Sequence, residues 1–289
     1  MSRRGKIFAG IAAALVVVTI AALWAVNRAA YGLPAFVAWR AVTSEFHGRH
    51  HAKVNGIDAY YETYGAGPPV LVLHGAGAAL EVMHYFITDL ARDHTVIAPD
   101  SRAQGRSGDA PGPITYTLMG DDEIKLLDTL HIKQVDVVGW SDGGIIGLDM
   151  AMKHPERVRR LVAFGANYRF DGVPASTMSS EAIAEIKKEE QQFYDLIAPD
   201  PSHFPIVFAK IVKMIETEPN YTEAELGRIK CPTLIVAGEH DIILRKHTDA
   251  LARAILGAKE VIVPGAPHEG PLTMPDVYVP MTRAFLDAK

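Results

Sequence analysis

Cysteine is nearly missing from this chain, which holds only Cys231. No intrachain disulfide can form, and the place of Cys231 at the head of the apolar run TLIVAG marks a buried thiol. Internal repeats and low-complexity segments are missing too, which excludes stacked-repeat architectures and linker-like tails. Acid is missing from the first thirty residues, where four of the 29 Lys and Arg lie (Arg3, Arg4, Lys6 and Arg28), so the rest of the chain sets 25 basic side chains against 34 acids, a net −9. A globular part this acidic speaks against nucleic acid or anionic lipid as its partner and mildly favours cationic substrates. What is present is the balance of a folded protein: 48% hydrophobic and 22% charged residues over 289 positions, enough for one large α/β domain with an insertion.

Charge is also missing between Ile7 and Val26, a run of apolar and small residues that would extend roughly 30 Å as a helix. Its length exceeds that of a cleaved secretory peptide's apolar stretch, and the candidate cleavage sites carry Leu23 or Arg28 upstream. Residues 1–30 are therefore expected to form an uncleaved transmembrane signal anchor, with a secreted, cleaved form as the alternative. The basic residues before the run would stay cytoplasmic and place the rest on the periplasmic, extracytoplasmic side. Residues 31–52 read as a tether, with Phe36 and Trp39 at the membrane interface. His47, His50 and His51 in that tether lack the carboxylate or Cys that would complete a ligand set, so no metal is expected there.

From Lys53 onward strands and helices alternate. Asn55-Gly56 between two short alternating runs predicts a hairpin. Apolar runs at 69–75, 94–100, 135–140, 158–167, 232–240 and 259–265 lack polar alternation, which suits strands buried on both faces of a parallel sheet. Helical segments at 117–131 and 143–155 lie between them, the second ending at Pro155. The pattern predicts a doubly wound, mostly parallel α/β sheet over 53–289. The interval 168–229 shows helical stretches and no strand, too long for a loop, and is expected to be a helical cap.

GWSDGG at 139–144 matches G-x-S-x-G in its required context, an apolar strand before and a helical run after. Such a sharp strand–turn–helix junction lifts its serine, here Ser141, to the carboxyl edge of the sheet as a nucleophile. A general base and an orienting acid should then follow in the order acid, His. Asp241 ends one apolar run and His268 follows the next. Glu239 competes for the acid role, but Asp241 fits the position better. The oxyanion that forms on attack needs two amide donors, and the N–H groups of Ala76, in HGAG, and of Asp142 are the candidates. His74 reads as a structural ring that holds the HGAG loop. This chemistry requires neither metal nor organic cofactor.

HGAG, APDSRAQGRS, GWSDGG, LIVAGEHD and PGAPHEG, in that order, resemble the α/β-hydrolase superfamily. GWSDGGIIGL with the later FGAN is similar to its valacyclovirase-like (biphenyl hydrolase-like) branch. The resemblance implies a carboxylesterase-like serine hydrolase of a small-molecule ester, and it implies that Asp142 receives the α-amino group of amino-acid esters. Ala103 departs from the family, which usually has Gly at that place. A C–C bond hydrolase or a cofactor-free perhydrolase on the same triad, or a tethered non-catalytic binding protein, are the alternatives. Asp142 poses a question of its own: two unit negative charges about 4 Å apart repel by roughly 4 kcal/mol at an effective dielectric near 20. A carboxylate beside an oxyanion must therefore either accept hydrogen bonds from nearby backbone or meet a cation that the substrate brings.

Overall fold

The computed structural model describes residues 32–288. The apolar run Ile7–Val26 lies outside the described residues; among those described, no helix is long and apolar enough to cross a membrane. The chain divides into two units, Met1–Thr43 and Ser44–Lys289. The described part of the first is helix α1 (Leu33–Val42), in which the Phe36 and Trp39 rings stack with centroids 5.8 Å apart.

The second unit is an eight-stranded sheet: β1 (Phe46–Val54), β2 (Ile57–Tyr64), β3 (Pro69–Leu73), β4 (Thr95–Pro99), β5 (Val135–Trp140), β6 (Val158–Phe164), β7 (Thr233–His240) and β8 (Lys259–Pro267). Their spatial order is β1-β2-β4-β3-β5-β6-β7-β8. β1 pairs antiparallel with β2, and β2 with β4, while every later pairing is parallel. The central strands carry the apolar runs without alternation because both their faces are covered.

Helices α2 (His84–Leu90), α3 (Tyr116–Thr129) and α4 (Asp142–Lys153) follow β3, β4 and β5. The interval after β6 holds α5 (Ser180–Ile197), α6 (Phe204–Ile215) and the short α7 (Glu223–Leu226). Then come α8 (Arg245–Ala254), α9 (Gly270–Thr273) and α10 (Pro275–Leu286). α4 packs against α3 and against β3, β5 and β6, so Asp142 through Met152 are all buried. Thr115 caps α3 by accepting from Leu118 N, and Ser179 caps α5 by accepting from Ala182 N, which sets where both helices begin.

The tether expectation needs correction. Residues 46–52 belong to β1, whose register with β2 runs from Phe46↔Tyr64 to Val54↔Ile57 across the Asn55-Gly56 turn. FHGRHHAKV carries few apolar residues because β1 is an edge strand with alternate side chains outward, so its order comes from the β2 ladder and not from an apolar run of its own. In it His50 shares a 3.1 Å hydrogen bond with Thr63 Oγ1, and His51 Nδ1 lies 3.2 Å from Asp58. The interval 168–229 holds helices and one β-bridge, which joins Arg169 to Asn220.

Candidate active site

The turn after β5 fixes the geometry of the site. Ser141 sits at φ 54°, ψ −118°, a conformation an L-residue holds only when its surroundings enforce it. The flanking glycines let it do so. A Cβ on Gly139 would fall 2.2 Å from Gly143 O, and one on Gly143 would fall 2.4 Å from Leu73 O. Any side chain at either place would force β5, α4 and the end of β3 apart. The Ser141 carbonyl then accepts from Gly144 N and Ile145 N, starting α4 directly beneath the hydroxyl.

His268, on the loop after β8, meets this serine across the sheet edge. The Ser141 hydroxyl lies 3.0 Å from His268 Nε2, and His268 Nδ1 lies 2.8 Å from Asp241 Oδ1. The carboxylate can only accept, so Nδ1 carries the hydrogen and Nε2 is left as an acceptor for the serine proton. Asp241 also accepts from Ile243 N at 2.9 Å and Gly238 N at 3.3 Å. Burial pushes its carboxyl up, but the bonds from His268 and the two amides outweigh that and hold it below the usual carboxylate range. Trp140 Nε1 donates to the His268 carbonyl at 3.0 Å and steadies the loop. Glu239 is elsewhere: exposed, it accepts from Gly265 N at 2.7 Å. Gly165, left-handed at φ 56°, keeps room for the imidazole, since a Cβ there would come within 2.8 Å of His268 Cε1.

The HGAG loop crosses the elbow closely enough that a Cβ on Gly75 would lie 3.2 Å from Ser141 Cβ. Its position is set by the DSRAQGRS loop. The buried His74 ring donates from Nδ1 to Gly75 O at 2.7 Å and accepts at Nε2 from Ser101 N at 2.9 Å, a pairing only the neutral ring can make. Burial lowers its pKa to about 4. Gly77 N donates to Gln104 Oε1 at 2.7 Å, and Leu80 N to Asp100 Oδ1 at 2.9 Å. Ala103 takes φ 63° in this loop, a left-handed turn that explains why glycine is the family's usual residue there.

Ala76, Ser141 and Asp142 line one cavity of about 160 Å³, roofed by α5 and α6 through Ile183, Ile186, Phe208 and Ile211. Among the described residues, Asp142 does not turn back onto backbone donors. Its Oδ1 accepts from the Tyr116 hydroxyl at 2.8 Å, and its buried Oδ2 has no partner. Burial raises this carboxyl to about 6, against the lowering effect of Tyr116 and His268. Sequence reasoning missed Tyr116, Gly165 and the cap residue Glu190, which also lines the cavity. The arrangement can pass a proton from a hydroxyl to an imidazole while an acyl group lies in the cavity.

Comparison with known proteins gives the same direction. Residues 68–198 match the alpha/beta hydrolase fold family. The chain is 31% identical over 258 residues to a putative carbamate hydrolase, RutD, of Azorhizobium caulinodans, covering 79% of this chain and 94% of that protein. It is 29% identical over 249 residues to the serine hydrolase BPHL of Homo sapiens, covering 81% of this chain and 84% of that one. The crystal structure of a hydrolase from Pseudomonas aeruginosa PA01 superposes with a TM-score of 0.68 at 26% identity, covering 84% of this chain and 99% of that one. A sheet order with one antiparallel end, a strained serine turn at its centre and relatives matched over most of their own length lead to one conclusion: the chain belongs to the α/β-hydrolase family and is a hydrolase.

Proposed function

We propose that this hydrolase cleaves carboxylic esters and related acyl compounds through Ser141, His268 and Asp241. The observation that carries the reading is the unbroken row of contacts, 3.0 Å from Ser141 to His268 and 2.8 Å from His268 to Asp241, beside a cavity that Ser141 lines. Ser141 Oγ attacks the carbonyl carbon while its proton passes to His268 Nε2, and Asp241 stabilises the imidazolium. The N–H groups of Ala76 and Asp142 hold the oxyanion. Collapse breaks the acyl–oxygen bond and the leaving alcohol takes the proton from His268. Water then gives a proton to His268, attacks the acyl-serine and releases the acid, returning the proton to Ser141.

The preferred acyl group carries an α-ammonium. Asp142 stands next to the nucleophile with one oxygen satisfied by Tyr116 and the other unpartnered among the described residues, which suits a cation bound beside the scissile carbonyl. The likeness to BPHL, named a serine hydrolase, and to RutD, named a putative carbamate hydrolase, supports acyl chemistry on a serine. The run Ile7–Val26 anchors the enzyme to the membrane with its catalytic unit on the extracytoplasmic side.

A panel of nitrophenyl esters tests the reading, varying acyl length and acyl charge. Short acyl groups with an α-amino group should be cleaved best and acyl groups with a carboxylate worst. Turnover of no ester, or a preference for anionic acyl groups, contradicts it.

A further inference from the structure

On one side of α5, Ile183, Ile186 and Glu190 line the cavity and Tyr194 is buried, so three of these four positions hold apolar or aromatic side chains. The fourth, Glu190, places a carboxylate in the wall of the cavity that contains Ser141 and Asp142. There it lies against the oxyanion loop: a Cβ on Gly77 would fall 2.0 Å from Glu190 Cδ. Glu190 Oε2 is buried and meets no hydrogen-bond donor among the described residues. Lys187, one turn earlier on the same helix, is engaged over the Phe208 ring at 5.7 Å, and among the described residues no Lys or Arg lines the cavity. The third acid of the lining, Glu218, is occupied by the backbone N–H of Tyr116 at 3.2 Å.

Two carboxylates, each with a buried oxygen lacking a partner, thus face a small apolar chamber from opposite parts of the fold, one from the sheet edge and one from the cap. Asp142 is 5% exposed. Burial, and after it the Asp142 charge, pushes Glu190 up to about 7. Two like charges in an apolar chamber beside an oxyanion are unfavourable unless a cation enters with the substrate. An ammonium group has three donors, and Asp142 Oδ2 can take only part of them.

We propose that Glu190 is a second specificity-determining residue, which with Asp142 clamps the ammonium group of the acyl moiety between the cap and the nucleophile turn. The proposal rests on the ester-hydrolase reading above. It deepens that reading by making selectivity for cationic acyl groups a property of the cap as well as of the residue after the nucleophile.

The test compares an α-aminoacyl ester with its des-amino counterpart, using the full chain and its Glu190→Gln and Glu190→Ala variants. The substitution to Gln keeps size and helix propensity. Removing the charge should lower kcat/KM for the amino ester tenfold or more, mainly through KM, and should raise it for the neutral ester. A side chain that only supports the cap would lower both together. Parallel losses on the two esters, or no change on either, overturn the proposal. If the wild-type protein cleaves neither ester, the hydrolase reading itself has failed and Glu190 falls with it; cleavage of both esters with an unaltered preference in the variants removes Glu190 alone.

Discussion

The Tyr116 hydroxyl donates to Asp142 Oδ1 at 2.8 Å, and Asp142 Oδ2, equally buried, meets no donor among the described residues. One oxygen is therefore positioned by the protein while the other is left for whatever enters the cavity. A carboxylate kept only to shape the turn would be expected to bond the backbone around it, as short acids at turns commonly do. Its pKa of about 6 leaves it mainly ionised above neutral pH, where a substrate cation would find it charged.

Asp142→Asn keeps the shape of the side chain and removes its charge. The variant should lose a tenfold or greater preference for an aminoacyl ester over the des-amino ester while still cleaving the neutral one, measured as kcat/KM at pH 7.5. Equal losses on both substrates would assign Asp142 to the scaffold alone.

Asp241→Asn should reduce turnover on the order of 10⁴-fold, because an amide facing His268 Nδ1 favours the wrong tautomer and leaves Nε2 unable to take the serine proton. Glu239→Gln should stay within a few-fold of the wild type, since Glu239 accepts from Gly265 N and makes no contact with His268 among the described residues. Steady-state kinetics on one good ester separates the two, and the reverse ranking would reassign the acid.

The row of Ser141, Asp241 and His268 was legible because each residue stands just past the carboxyl end of an apolar run, and strand order converts that spacing into proximity. His74 was legible for a similar reason, its loop following β3 directly. Glu190 and Tyr116 were not. Tyr116 reaches Asp142 only because α3 packs against α4, and Glu190 reaches the cavity only because α5 folds over the sheet edge. One signal was available for Glu190: an acid on the otherwise apolar Ile183–Ile186–Tyr194 face. Residues 46–52 of β1 escaped notice, although its end at the Asn55-Gly56 hairpin did not, because an edge strand needs no apolar run and the register that orders it is written in β2.

Glu190 also makes a prediction about stability. The folded chain holds its proton up to about 7, whereas the unfolded chain releases it near 4.5. Between those values the folded state binds more protons, so stability falls as pH rises through the window and stays lower above it, by about 3 kcal/mol. Glu190→Gln escapes this loss. Its melting temperature should match the wild type near pH 4.5 and exceed it by several degrees at pH 8, read by calorimetry without substrate. A difference that stays constant across that range contradicts a buried, unpaired Glu190.

Location has its own test. With residues 1–30 present the protein should sediment with membranes and resist extraction by high salt or carbonate. A soluble mature form beginning near Ala30, identified by mass spectrometry, would replace the anchor with a cleaved signal.

The central claim is that Ser141 is an activated nucleophile, and covalent labelling tests it most directly. A serine hydroxyl attacks phosphorus quickly only when a neighbouring base takes its proton, as His268 Nε2 at 3.0 Å is placed to do. A fluorophosphonate should therefore modify the protein once, at Ser141, as located by peptide mass spectrometry, and Ser141→Ala should abolish the modification while His268→Ala slows it by orders of magnitude. Undiminished labelling of Ser141→Ala, or attachment at another residue in the wild type, would contradict the account.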